Sequence, residues 1–394
     1  MKKRVIFVID SLNSGGAEKS LISLLSLFDY GKYEVELLTF KEGGLYAPLL
    51  SKEVRVLNQP DIFKKMKLSI LDLIKNNDFR SVLWRVNTSV SLKYKQNFTE
   101  IKHGAQLMWP RLDKVIPKLK SKYDIAIAYS QGTPTYYVAE KINSKKKLCW
   151  INIDYKFAGY NREFDFKYYE KFDNIVAVSK VCTDVLKGVF PEFKDKIITI
   201  YDIISEELIN SMANKEKGFT DDYSGVRILT IGRLVYQKGY EYAIEAAKCL
   251  KDKKIDFRWY VIGEGNLKNE LENKIGEYKL ENNFKFLGTF TNPYPFVKQC
   301  DIYCQPSRFE GFGLAIAEAR ILNKPIVATN FDIVYDQIKD KENGLISKKD
   351  GEDIANKIME LINNDELKNK IINNLKKENV GTEKELSRIY NLIN

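Results

Sequence analysis

Over the first two hundred residues the apolar positions gather into short unbroken runs, at 5–9, 33–40, 124–129, 147–151, 174–178 and 196–201. A strand with one wet face alternates, so unbroken runs predict strands buried on both faces, as in a parallel sheet. Between several runs, as at 17–27, apolar residues return every three or four positions and predict helices. Strands alternating with helices place this part of the chain in the α/β class. The stretch 62–122 breaks the rhythm and reads as a largely helical insertion rich in Lys, Trp, Tyr and Leu.

The pattern stops in a polar stretch at 211–225 and then restarts. Runs at 226–231, 256–262, 283–287, 302–305 and 325–328 predict strands, and 239–250 and 267–278 predict helices. The chain is therefore read as two successive α/β domains, 1–204 with an insertion at 61–122, and 205–376, joined near 205–225. Residues 350–394 read as helical, and a last helix at 377–394 is expected to cross back to the first domain.

Composition narrows the chemistry. At 394 residues the chain exceeds one ordinary core, and 44% hydrophobic residues exclude a disordered tail. One histidine, His103, excludes multi-histidine metal sites and leaves a Ser-His-Asp or Cys-His centre nowhere else to stand. His103 itself reads as a surface or packing residue. Five cysteines in mostly apolar contexts argue against a disulfide framework and for a reducing, cytoplasmic location. The opening apolar run ends at Asp10, too short for a signal sequence, and no run reaches the length of a membrane span.

Charge is unevenly placed. Residues 1–204 hold 34 basic and 23 acidic side chains, whereas 205–394 hold 29 and 30. Within the first half, 61–122 alone has 14 basic against 5 acidic. Such a patch suits an anionic membrane surface or a lipid pyrophosphate. Nucleic acid is set aside, because the neutral second half offers no matching stripe.

Three loops carry the candidate chemistry. Glu310-Gly311-Phe312-Gly313-Leu314 leads from a strand and turn into a helix that holds Glu318. Glycines there let backbone N–H groups approach a ligand, and a helix N-terminus favours an anion. Ile231-Gly232-Arg233 to Lys238-Gly239 follows another strand with two cations, and Ile262-Gly263-Glu264-Gly265 follows a third. Alone, each describes a solvated turn as readily as a site. Together they put anion-binding and hydroxyl-binding groups at three strand ends of one domain, where open α/β sheets bind ligands.

With the loop Ser14-Gly15-Gly16-Ala17-Glu18, these segments give the chain a family resemblance. It resembles the retaining glycosyltransferases of group 1, family 4, including those of bacterial capsule and polysaccharide assembly. The resemblance implies the GT-B fold, two facing Rossmann-like domains around a deep cleft, and a nucleotide-sugar donor, UDP-linked by family habit, with no metal or other cofactor. It also implies a role for each matching residue. Arg233 and Lys238 would bind the diphosphate, Gly232 beside them. Glu310, with the N–H groups of Phe312, Gly313 and Leu314, would hold the donor sugar, and Glu318 the ribose. Gly16 would approach the diphosphate from the first domain. Gly263, Glu264 and Leu287 would complete the donor site. The acceptor, a glycan or lipid-linked oligosaccharide, would meet the first domain, where Gly132, Thr133, Asn152 and Asp154 are the candidates, and Tyr155, Phe157 and Tyr160 would line a sugar. Relatives often carry histidine where this chain has Asn152, which cannot accept a proton at neutral pH.

Two other readings compete on the residues. A catalytically impaired partner subunit of a glycosyltransferase complex has only Asn152 in its favour. A nicotinamide-dependent dehydrogenase fails because the first loop does not follow G-x-G-x-x-G and the second strand lacks a terminal acid.

Overall fold

Two parallel sheets carry the chain. In the computed structural model, which describes residues 2–13, 15–98, 101 and 103–394, the first sheet is built from β1 (Lys3–Ile9), β2 (Tyr33–Thr39), β3 (Arg55–Leu57), β4 (Lys122–Ala128), β5 (Asn143–Ile151), β6 (Asn174–Ala177) and β7 (Ile197–Thr199). Its order is β3-β2-β1-β4-β5-β6-β7. The second is built from β8 (Val226–Ile231), β9 (Phe257–Ile262), β10 (Phe284–Phe286), β11 (Ile302–Gln305), β12 (Ile326–Thr329) and β13 (Leu345–Ser347), in the order β10-β9-β8-β11-β12-β13. Each sheet starts in the middle, works outward, then reverses. The reversals fall between β1 and β4 and between β8 and β11, and a reversal leaves an opening at the strands' carboxyl ends.

The central strands are what their sequences require. Val5, Ile6, Phe7 and Val8 of β1 are wholly buried, and so are Ile228 and Leu229 of β8 and Tyr303 and Cys304 of β11. Helices such as Tyr240–Asp252 and Gly351–Asn363 bury Ala246, Ala247, Ile354 and Ile358 against the second sheet. Among the described residues, no helix is long and apolar enough to cross a membrane.

Leaving the loop 14–16 aside, the first unit comprises residues through Asn13, Ala17–Tyr201 and Glu385–Asn394, and the second Asp202–Lys384. The polar stretch 211–225 is part of the second unit. Phe219 packs on Tyr260 and Phe296, and Asp221 accepts hydrogen bonds from Arg227, Arg258 and Tyr260. Burial alone would raise the Asp221 carboxyl, but these partners outweigh it and hold it at about 2. The segments by which the chain enters and leaves the second unit are laced together: Ile204 N–H donates to Thr382 Oγ1 (2.8 Å) and Gly381 N–H to Glu206 Oε1 (2.7 Å).

The insertion is helical as the pattern predicts, in the helices Asp61–Lys67, Ile70–Lys75, Phe79–Phe98 and Gly104–Val115; residues 99, 100 and 102 lie outside the described residues. The helical reading of 350–394 resolves into three pieces, Gly351–Asn363, Asp365–Leu375 and Glu385–Ile393. The last belongs to the first unit. Tyr390 stacks on Tyr33 at 5.6 Å and lies 5.5 Å from Phe28, and its hydroxyl accepts from Asp29 N–H at 2.7 Å.

Candidate functional site

In the second unit the loops after β8 and β11 flank the reversal of strand order, and Lys238 and Glu310 meet there. Lys238 Nζ donates to Glu310 Oε1 at 2.6 Å. The same oxygen accepts from Ser307 Oγ at 2.6 Å and from Gln305 Nε2 at 3.0 Å. Three donors converge on one carboxylate oxygen, while Oε2 has no hydrogen bond to the described residues. Both side chains of the ion pair are largely buried, and a buried carboxylate without such donors would be strongly disfavoured. The result is a fixed acceptor, Oε2, beside an ammonium that spends one of its N–H groups on Glu310. That pairing suits a ligand with hydroxyls on one side and an anion on the other.

Glycines allow the loops to close this tightly. A Cβ on Gly263 would sit 1.9 Å from the Gly232 carbonyl oxygen, and one on Gly265 would sit 2.2 Å from that of Leu234. Gly239, with φ +61, would place a Cβ 2.2 Å from the Pro306 oxygen. Backbone bonds complete the seam: Gly232 N–H donates to Ile262 O, Leu234 N–H to Glu264 O, and Gly263 N–H to Gly288 O. Leu287 N–H donates to Val261 O, which anchors that segment to β9.

The other predicted donor residues fall into four settings. Arg233 is exposed, with no hydrogen bond or ion pair from its side chain to the described residues, so its guanidinium is available to an anion. Gly313, at φ +82, begins the helix Leu314–Ile321, whose first N–H groups no intrahelical carbonyl can reach. Phe312 and Gly313 are held from behind, where Gln337 Nε2 donates to both of their carbonyls. Glu318 is buried one turn into that helix and accepts from the Tyr294 hydroxyl at 3.2 Å. Burial pushes the Tyr303 phenol up, and Glu318 and Glu310 both add to the shift, so both acids lie within electrostatic reach of one ring. Glu264 points outward to Lys268, 3.4 Å away.

Gln305, Ser307, Tyr294 and Gln337 were not singled out from the sequence. For Gln305 and Ser307 a signal was available, since both precede Glu310 on the same strand and turn. Gln337 and Tyr294 arrive from distant segments and had none.

In the first unit the equivalent reversal joins the loops after β1 and β4. Ser130 Oγ donates to Asp10 Oδ2 at 3.2 Å. Water reaches Asp10, yet its carboxyl is pushed up to about 6, by desolvation first and by Glu18 second, against the Ser130 hydrogen bond and Lys41. Asn152 lies just past β5: its N–H donates to Gln131 Oε1 (3.1 Å) and its Nδ2 to the Tyr129 carbonyl (2.8 Å). Asn152 Oδ1 is buried with no hydrogen-bond partner among the described residues. Gly132, at φ +83, caps the helix Thr133–Lys141, and a Cβ there would meet the Tyr160 hydroxyl at 3.0 Å. His103 stacks on Tyr160 at 3.7 Å and caps the helix Gly104–Val115 by accepting from Ala105 N–H. Its imidazole is pushed down by burial, which keeps it neutral. Tyr155 stacks on the other predicted ring, Tyr160, at 5.7 Å, whereas Phe157 is exposed. Asp154 is buried and accepts from Lys156 N–H. Gly16 is the first residue of the helix Gly16–Ser26, and Ser14 of the same loop lies outside the described residues. No three His, Cys, Asp or Glu side chains among the described residues form a group that would hold a metal ion.

Residues 216–378, all in the second unit, match the family of group 1 glycosyl transferases. An uncharacterized glycosyltransferase of Methanocaldococcus jannaschii is 32% identical over 199 residues, 50% of this chain and 51% of that protein. The match thus spans about half the length of that relative. An N-acetylgalactosamine-N,N'-diacetylbacillosaminyl-diphospho-undecaprenol 4-alpha-N-acetylgalactosaminyltransferase of Campylobacter jejuni is 25% identical over 357 residues, 89% of this chain and 87% of that protein. Among solved structures, a mutant of Staphylococcus aureus TarM in complex with fondaparinux, alpha-GlcNAc-glycerol and UDP aligns over the full length of both chains with a TM-score of 0.69 at 18% identity. The fold is therefore that of the GT-B glycosyltransferases: two parallel-sheet α/β units.

Proposed function

We propose that the protein is a glycosyltransferase that moves a sugar from a UDP-sugar to a glycan or lipid-linked acceptor in cell-surface polysaccharide synthesis, with retention of configuration. The observation that carries the reading is the Lys238–Glu310 pair, set by Ser307 and Gln305 at the strand-order reversal of the second unit. The family match covers this segment, the Campylobacter relative's name specifies a diphospho-undecaprenol acceptor, and TarM was solved with UDP.

In this reading Lys238 and Arg233 face the diphosphate, Glu310 Oε2 and the N–H groups at Phe312–Leu314 hold the sugar, and Glu318 the ribose. The bond from the sugar's anomeric carbon to the β-phosphate oxygen breaks, and the acceptor oxygen bonds to that carbon on the same face. The acceptor's proton passes to the departing phosphate oxygen, so no imidazole is needed and Asn152 serves as a hydrogen-bonding group. Positioned cations and amides stabilise the charge that develops on the leaving group. The basic first unit would rest on an anionic membrane surface from the cytoplasmic side, each well-placed Lys or Arg contributing about 1 kcal/mol.

The test is UDP release across a panel of UDP-sugars. Lys238→Ala and Glu310→Ala should each reduce turnover on the best donor by about a hundredfold or more. Full turnover in both variants would overturn the assignment.

A further inference from the structure

The insertion in the first unit is amphipathic the wrong way round for a protein in water. On the helix Phe79–Phe98, Ser81 and Thr88 are buried and Trp84 packs partly against the core, at spacings of three and four. On another face of the same helix, Phe79, Leu83 and Val86 stand exposed, also spaced four and three apart. The adjoining helix Ile70–Lys75 buries Leu73 and exposes Ile70, Leu71 and Ile74. Of the fourteen exposed large apolar side chains among the described residues, seven lie between positions 68 and 86. Scattered single exposures need no explanation, but two adjoining helices that both turn apolar side chains outward do.

The turn between these helices is held firmly. Ser69 and Asp72 form a reciprocal cap at the start of Ile70–Lys75. Asp78 accepts from Ser81 N–H (3.1 Å) and Ser81 Oγ (2.8 Å) and pairs with Lys65 at 2.7 Å. Those partners, Lys65 first, hold the Asp78 carboxyl down at about 2. The negative charges of the hairpin are thus engaged locally. Lys67, Lys75 and Arg80, in contrast, are exposed with no ion pair among the described residues. Free cations beside outward apolar side chains complement one surface in particular: anionic headgroups over acyl chains.

We infer that the hairpin of helices Ile70–Lys75 and Phe79–Phe98 is a monotopic membrane anchor. Leu71, Ile74, Phe79 and Leu83 enter the headgroup–acyl boundary, and Lys67, Lys75 and Arg80 engage anionic headgroups. The inference rests on the reading that the acceptor is lipid-linked, and it adds that the protein reaches it by partial insertion as well as by charge.

The experiment is vesicle flotation of the full chain with phosphatidylglycerol–phosphatidylcholine and with pure phosphatidylcholine vesicles. Three proteins are compared: wild type, the triple variant Leu71→Ser, Phe79→Ser, Leu83→Ser, and the triple variant Lys67→Gln, Lys75→Gln, Arg80→Gln. All six side chains are exposed, so both variants should keep the wild-type melting temperature. Wild type should float with anionic vesicles and stay partly bound at 0.5 M salt, a strength chosen because it screens surface charge to within about a Debye length of a few ångströms. The serine variant should lose more than tenfold in partition, and the glutamine variant should lose its preference for anionic vesicles. Serine-variant partition equal to wild type would overturn insertion, as would wild type that floats with neither vesicle. If instead wild type elutes as a dimer and the serine variant as a monomer, with flotation equal, the face is a self-interface and the inference fails. UDP binding by calorimetry separates the two readings. Its absence in wild type would remove the proposed function while leaving the flotation result to judge the anchor.

Discussion

At the β8–β11 reversal, a lysine and a glutamate sit 2.6 Å apart within a ring of donors. At the β1–β4 reversal, a serine hydroxyl donates to an aspartate whose charge is opposed by a second acid, Glu18. The same topology produces both openings, and the sequences fill them differently. In the second unit the ion pair satisfies each partner's charge, while Arg233 of the same loop stays unpaired among the described residues. In the first unit Asp10 holds a proton well into the pH range where a free carboxyl has lost it. Topology thus places the two openings alike, and the side chains decide the charge each one carries. One opening presents a paired ammonium and carboxylate, and the other a carboxyl raised to about 6.

The hardest blow to that contrast is to reverse the ion pair. Lys238→Glu combined with Glu310→Lys keeps one charge of each sign but leaves Ser307 and Gln305 donating toward an ammonium. Turnover in the UDP-release assay should fall about a thousandfold, the upper range for losing a group that stabilises developing charge. Retained turnover would mean that the orientation of the pair is irrelevant. A second break is mechanical. Gly263→Ala drives a Cβ to 1.9 Å from the Gly232 oxygen, so the β8 and β9 loops must part. Urea unfolding should show a loss of about 3 kcal/mol, and donor affinity should fall with it; an unchanged midpoint would show the seam to be soft.

Asp10 sharpens the contrast through pH. Its carboxyl is raised from 3.8 to about 6, so between those values the folded chain binds a proton that the unfolded chain has released. Stability from this group is full below the lower value and is lost as pH rises through the upper one. Asp10→Asn removes the titration. Its melting temperature relative to wild type should therefore rise between pH 4.5 and pH 7.5, and an equal difference at both would show Asp10 to be unperturbed. The smallest effect belongs to the exposed Lys268–Glu264 pair. Lys268→Ala should change stability by less than about 0.5 kcal/mol and leave UDP release unchanged.

The sheet cores were legible because a strand buried on both faces must be apolar throughout. The runs at 5–9, 226–231 and 302–305 therefore match β1, β8 and β11 closely. All four edge strands span three residues. Strands β7 and β10 lie within the runs 196–201 and 283–287, whereas Arg55-Val56-Leu57 and Leu345-Ile346-Ser347 sit among polar residues and glycine with no longer apolar run to mark β3 and β13. Polar composition made 211–225 look like a connection. What it cannot show is that Asp221 is committed to two arginines and a tyrosine. In the candidate site, the glycines and charges are readable from the loops that carry them. The parts that aim them are not, because Gln337 and Tyr294 reach Phe312 and Glu318 only after the second unit has closed.

The helix Glu385–Ile393 has a consequence for the order in which the molecule is made. The strands of the first sheet leave the ribosome before residues 202–384, yet the aromatic face at Phe28 and Tyr33 is covered by Tyr390, translated after residue 384. Lys3 at the start of β1 likewise waits to donate to the Asn394 carbonyl, 2.7 Å away. The unit whose strands come first is closed by a helix that follows the second unit in the chain. A chain stalled anywhere in 202–384 therefore lacks the ring that covers Phe28 and Tyr33, which sets it apart chemically from one that has passed residue 390.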